Sequence, residues 1–100
     1  MRVLQNFDPA EAGESEVFAF DFAKDLTPGE AISTTSWSLS VMDGKDSAPA
    51  SRLSGLAQVL GTQSQQRIAN LVSGVTYKVT ATVVTTSGNT LKLWSVIVCG

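Results

Sequence analysis

GVTYKVTATVVTTSGNTLKLWSVIV, residues 74–98, decides the fold. From Tyr77 the apolar residues Tyr77, Val79, Ala81 and Val83 alternate with the polar Lys78, Thr80 and Thr82, the period of two that marks a half-buried strand. Ser87-Gly88-Asn89 turns the chain and apolar residues resume at Leu91 and Leu93. Two strands joined by a short glycine-containing loop are a hairpin, here the last hairpin of an immunoglobulin-like β-sandwich. Tyr77, three residues after Gly74, stands where a tyrosine corner bonds its hydroxyl back to upstream backbone.

The final strand is apolar on both faces. Leu91 and Leu93 share one face, and Trp94, Val96 and Val98 share the other. Two arrangements account for this: a β-bulge near Ser95 that turns Val96 and Val98 onto the core, or a second stripe that faces a partner. Cys99 follows as a terminal thiol, either passive or able to bridge two chains once outside a reducing cytoplasm. As the only cysteine it excludes an internal disulfide, so any immunoglobulin-like core here is apolar only.

Upstream, residues 16–22 alternate with Phe18, Phe20 and Phe22 on one face, a strand carrying three aromatic core residues. Thr27-Pro28-Gly29-Glu30 reads as a turn, proline setting φ and glycine free to take φ > 0. Residues 32–42 form a second strand with Trp37, Leu39 and Val41 inward and Ser36, Ser38 and Ser40 outward, Trp37 being the best core anchor. Residues 43–54 are a turn-rich surface loop. Residues 55–60 hold a short strand. Residues 63–71 are a polar strand in which Ile68, Ala69 and Leu71 give no clean face, the character of a sheet edge. Residues 1–13 read as an extended N-terminal arm, with Val3 and Leu4 as a small edge strand and Phe7-Asp8-Pro9 extended before the proline. Helical spacing over residues 8–22 is countered by Gly13 and the phenylalanine alternation. The reading is therefore all-β: a two-sheet immunoglobulin- or fibronectin-like sandwich of about six or seven strands over residues 14–100.

One hundred residues suit one domain with a single core. The hydrophobic fraction of 43% and the charged fraction of 16% argue against disorder and leave solubility to Ser, Thr, Gln and Asn. A net charge of -2 without a basic run disfavours nucleic acid as a partner. The longest apolar run, residues 94–99 interrupted by Ser95, falls far short of the roughly 18 to 20 residues of a membrane helix. Asn6, Asp8, Glu11 and Glu14 interrupt the place of a signal-peptide core, so synthesis and retention in a cytoplasm are expected, with no membrane partner.

No catalytic residue emerges. The chain has no histidine, which removes the commonest general base and metal ligand, and Cys99 lacks the partners of a nucleophilic pair or zinc cluster. Asp21, Asp25 and Glu30 gather near one strand end and Asp43 with Asp46 near another. Turn carboxylates at such places are usually caps of Asx-turns. Asp43 to Ser47, DGKDS, shares part of a calcium loop but lacks its full pattern. Neither a metal nor a cofactor is expected.

The landmarks occur in a particular order: Asp8-Pro9; FAFDFAKDL at residues 18–26; Pro28-Gly29-Glu30-Ala31-Ile32; STTSWSL at residues 33–39; Asp46-Ser47-Ala48-Pro49; Leu53-Ser54-Gly55; Gln66-Arg67-Ile68; and the hairpin from Gly74 to Leu91. Over nearly the whole chain this resembles the small phage and prophage proteins called fibre-tail adaptors, immunoglobulin-like modules of about this length. The resemblance implies a non-enzymatic virion protein, assembled in the host bacterial cytoplasm. It would link fibres or decorating proteins to the tail, baseplate or neck, as a homo-oligomeric ring or in multiple copies. Trp94 and Cys99 lie outside the shared pattern. The contacts expected are Trp94, Val96, Val98 and Cys99 on the last strand and Val3, Leu4 and Phe7 on the arm, with Trp94 as anchor and Cys99 open to an intermolecular disulfide. A carbohydrate- or host-surface-binding module is the alternative, weakened because residues 43–54 contain no aromatic side chain. A small hydrolase working through Asp43 or Asp46 is the third.

Overall fold

Alternation along the chain becomes two packed sheets in the computed structural model, which describes residues 2–3 and 13–100. The strands are β1 (Arg2–Val3), β2 (Ser15–Asp21), β3 (Ile32–Asp43), β4 (Leu53–Leu60), β5 (Gln63–Ala69), β6 (Thr76–Thr85) and β7 (Thr90–Val98), with a 3-10 helix, Pro49–Arg52, before β4. One sheet has the order β1-β2-β5-β4 and the other β3-β6-β7. The strands thus form a two-sheet sandwich of four and three strands. All pairings are antiparallel except that of β1, which runs parallel to β2 through Arg2 with Phe18 and Val3 with Ala19. Val3 thus takes the strand role expected of it, whereas Leu4, Phe7 and the rest of the arm to residue 12 lie outside the described residues.

The inward faces build the core that the period-two pattern called for. Phe18, Phe20, Phe22 and Ile68 come from one sheet, and Trp37, Leu39, Tyr77, Val79, Ala81, Val83 and Ile97 from the other, all buried. Large apolar side chains contribute about 1.5–3 kcal/mol each when fully buried. Phe20 packs on Trp37 with ring centroids 5.2 Å apart. A polar thread also crosses between the sheets. Trp37 Nε1 donates to Ser64 Oγ at 2.6 Å, Ser64 Oγ lies 2.5 Å from Thr35 Oγ1, and Thr35 Oγ1 donates to the Thr82 carbonyl at 3.2 Å. Because the Thr35 proton goes to Thr82, the Ser64 hydroxyl donates to Thr35, giving a chain in which every member is satisfied.

That thread explains one departure from the sequence reading. Residues 63–69 are not an edge: β5 is flanked by β2 and β4. Its inward face is Ser64, Gln66 and Ile68, all buried, polar because two of the three serve as hydrogen-bonding members of the core. The edge of this sheet next to β5 is β4. Its pairing with β5 slips between Ser54 and Gln58, forming a bulge around Gly55, whose φ of +74° favours glycine. The buried Gln66 amide fills the bulge, donating to the carbonyls of Ser54, Gly55 and Arg67 at 3.1, 3.2 and 2.9 Å.

Two carboxylates pin the ends. At the start of β6, Val72 N–H donates to the Tyr77 hydroxyl at 2.9 Å, the tyrosine corner read from the sequence, and that hydroxyl donates to Asp46 Oδ2 at 2.8 Å. Asp46 also takes Arg52 in a two-pronged pair, Nε to Oδ2 and Nη2 to Oδ1, both at 3.1 Å. At the far end of β6, Glu30 Oε2 accepts from Thr85 Oγ1 at 2.5 Å and Asn89 Nδ2 at 2.9 Å, while its Oε1 accepts from Thr27 N–H at 3.1 Å.

Candidate partner-binding edge

β7 pairs with β6 from Thr90 to Val98 without a register shift. The bulge considered near Ser95 does not form. Inward go Ser95, Ile97 and then Cys99, all buried, with Leu91 and Leu93 half-buried against the core. Outward go Trp94, 56% exposed, Val98, 48% exposed, and the half-buried Val96. Both faces of the strand are apolar because one faces the core and the other faces solvent.

Hydrogen bonds at both ends of the hairpin give the phase of the ladder. Thr85 N–H donates to the Asn89 carbonyl at 2.8 Å, and Cys99 N–H donates to the Val75 carbonyl at 3.0 Å. Odd-numbered residues of β7 therefore turn their backbone groups towards β6. By the alternation of an antiparallel ladder, the N–H and C=O groups of Lys92, Trp94, Val96 and Val98 point the other way, and β7 ends its sheet. One set of residues thus presents both an apolar outer stripe and a strand edge that is unpaired among the described residues. Lys78 Nζ lies 4.8 Å from the centroid of the Trp94 ring, a cation–π contact of about 0.5–1 kcal/mol at an exposed site that holds the indole over the sheet.

The remaining sequence-derived residues are placed elsewhere. Cys99 is 2% exposed, inward beside Val75, so a disulfide to a second chain requires the end of the strand to leave its place. Of the carboxylates considered for hydrolysis, Asp21, Glu30 and Asp46 are engaged by internal donors. Asp21 Oδ1 accepts from Ala23 N–H and Thr62 Oγ1, and Asp46 caps an Asx-turn through Ala48 N–H. The Arg52 hydrogen bonds hold the Asp46 carboxyl well below the usual carboxylate range. Hydrogen bonds from Thr85, Thr27 and Asn89 lower that of Glu30 from 4.5 to about 2. Anions committed to internal donors this way are poor proton acceptors at neutral pH. Among the described residues no group of three or more Cys, Asp or Glu side chains could hold a metal, and no helix is long and apolar enough to cross a membrane.

Sequence reasoning missed β4 as an exposed edge. Leu56 is 90% exposed, Leu60 62% and Val59 39%, and a shallow groove runs beside the bulge between Leu56, Gln58, Gln65 and Arg67. The available signal was LSGLAQVL itself, residues 53–60, which has no charged side chain and so lacks the usual protection of an edge strand.

Residues 11–97 match the family model described as Podophage GP4 fiber-tail adaptor protein gp77. No curated protein and no solved structure gives a significant match.

Proposed function

The chain belongs to the podophage fibre-tail adaptor family, and we propose that it acts as a passive bridge in the virion, holding a fibre or decorating protein against the tail, baseplate or neck through strand addition at β7. The observation that carries this reading is the coincidence on β7 of a regular edge, unpaired among the described residues, with the Trp94, Val96 and Val98 stripe. An extended segment of a partner gains main-chain hydrogen bonds from such an edge and side-chain specificity from alternate residues. Trp94 is the anchor, since a large aromatic side chain desolvated at a contact dominates its energetics. Engagement of Asp46 and Glu30 by internal donors supports a role without catalysis. Several copies around the tail axis add avidity.

Immunogold labelling of particles with antibody raised against this chain tests the reading. Label at the tail, baseplate or neck is expected, and unlabelled particles would sink it. Replacement of Trp94 by Ala is expected to leave the fold intact, as its side chain is mostly exposed, while reducing incorporation into particles. Loss of folding in that variant would make Trp94 a core residue instead.

A further inference from the structure

The charges of this chain are segregated along its length. Every Asp and Glu lies at or before Asp46, whereas residues 47–100 carry Arg52, Arg67, Lys78 and Lys92 and no acid. Arg52 is spent on Asp46. The two lysines share the outer face of the β6–β7 hairpin: Lys92 is on β7, and Lys78, opposite Val96 on β6, reaches over Trp94. Neither strand contains a carboxylate, and among the described residues neither lysine forms an ion pair.

We propose that the strand added at β7 is an apolar segment bearing carboxylates and belonging to a different protein; this rests on the strand-addition reading above and specifies its partner. Cross-strand neighbours on one face of an antiparallel pair lie about 5 Å apart, so a carboxylate opposite Lys92 meets its ammonium directly. A second carboxylate reaches Lys78 at the far side of the Trp94 ring, with the apolar residues between them over Trp94 and Val96. No described strand of a second copy of this chain fits. Its β7 contains no carboxylate to set against Lys92 or Lys78. Its other sheet-terminal strands are β1, β4 and β3. Of these, β1 and β4 contain no acid, and β3 has only Asp43 at its last position. β2, which has Glu16 and Asp21, is flanked by β1 and β5.

Carbodiimide treatment of purified particles that carry this chain tests the proposal, because the reagent joins a lysine to a carboxylate only where the two touch. Peptide mapping is expected to find Lys92 and Lys78 joined to Asp or Glu of one other particle protein. Links from these lysines to carboxylates of this same chain, or free Lys92 and Lys78 in particles that contain the chain, would overturn it while leaving the adaptor reading intact. Absence of the chain from particles would overturn both. Replacing both lysines by Glu is expected to lower incorporation about tenfold, the scale of two reversed cross-strand pairs, while the isolated protein still unfolds cooperatively, its midpoint lower only by the loss of the Lys78–Trp94 contact. Unaltered incorporation would equally reject the charge match.

Discussion

β4 and β7 both end a sheet with apolar side chains in water, yet they offer a partner different things. β7 keeps one register over its nine residues, so its unpaired backbone groups and outward side chains alternate without interruption. β4 is broken between Ser54 and Gln58, its backbone twisted off the line a neighbouring strand would need. Its most exposed side chain, Leu56, stands on the bulge. A flat edge can be extended by hydrogen bonds, whereas a bulged one offers side chains only. The uncharged β4 is thus blunted by backbone geometry, and β7 is left open.

If the buried Gln66 amide holds the bulge, replacing it should do more harm than any change on either exposed stripe. Gln66→Leu keeps approximate size but leaves the carbonyls of Ser54, Gly55 and Arg67 without their donor. Lost partners of this kind cost about 1–3 kcal/mol, to be read as a lower denaturation midpoint. As the bulge relaxes, β4 can straighten into an extensible edge, and concentration-dependent light scattering should rise. A variant as stable and as monodisperse as the parent would show that the bulge is set by Gly55 alone.

How far each edge could be read from the sequence follows from where its partners lie. The β6–β7 hairpin was legible because alternation, the Ser87-Gly88-Asn89 turn and the Tyr77 corner are local. The aromatic faces of β2 and β3 were legible for the same reason. Trp94, Val96 and Val98 were recognised as a stripe, but choosing between a bulge and an outward face needed the register with β6. β5 was misread because Ser64 and Gln66 look solvent-facing until Trp37, Thr35 and the Ser54 and Gly55 carbonyls arrive from distant parts of the chain. A polar core residue carries no sign of its partner in its own neighbourhood.

Acid should loosen the two edges through different carboxylates. Glu30 ties Asn89 of the β6–β7 turn to the β2–β3 loop, and Asp46 ties Arg52, just before β4, to Tyr77. Glu30 is lowered from 4.5 to about 2, so the unfolded chain binds its proton more tightly than the folded one. Its contribution to stability is complete above about pH 4.5, declines as pH falls through that window and is gone below about 2. Glu30→Gln should therefore flatten the fall in denaturation midpoint between these limits, with the hairpin turn loosening first. An unchanged acid slope would remove Glu30 from the account. Asp46, held lower still by Arg52, should keep the start of β4 in place to more acid pH.

The finest test of the comparison changes no residue. In the isolated protein the amides of Lys92, Trp94, Val96 and Val98 point off the sheet, while those of Leu93, Ser95 and Ile97 bond to β6 by the ladder phase that Thr85 and Cys99 define. Amide exchange followed by NMR should consequently alternate along β7, fast at even positions and slow at odd ones, because an edge N–H exchanges without any opening of the sheet. Along β4 the alternation should fail between Ser54 and Gln58, where the ladder itself is interrupted. Uniform protection along β7 would mean that its edge is already covered, and strand addition would then have to be sought elsewhere. Alternation in the free protein that disappears at Trp94, Val96 and Val98 on assembly would locate the added strand residue by residue, because only a chain bonded along that edge can protect this set of amides and leave β4 as it was.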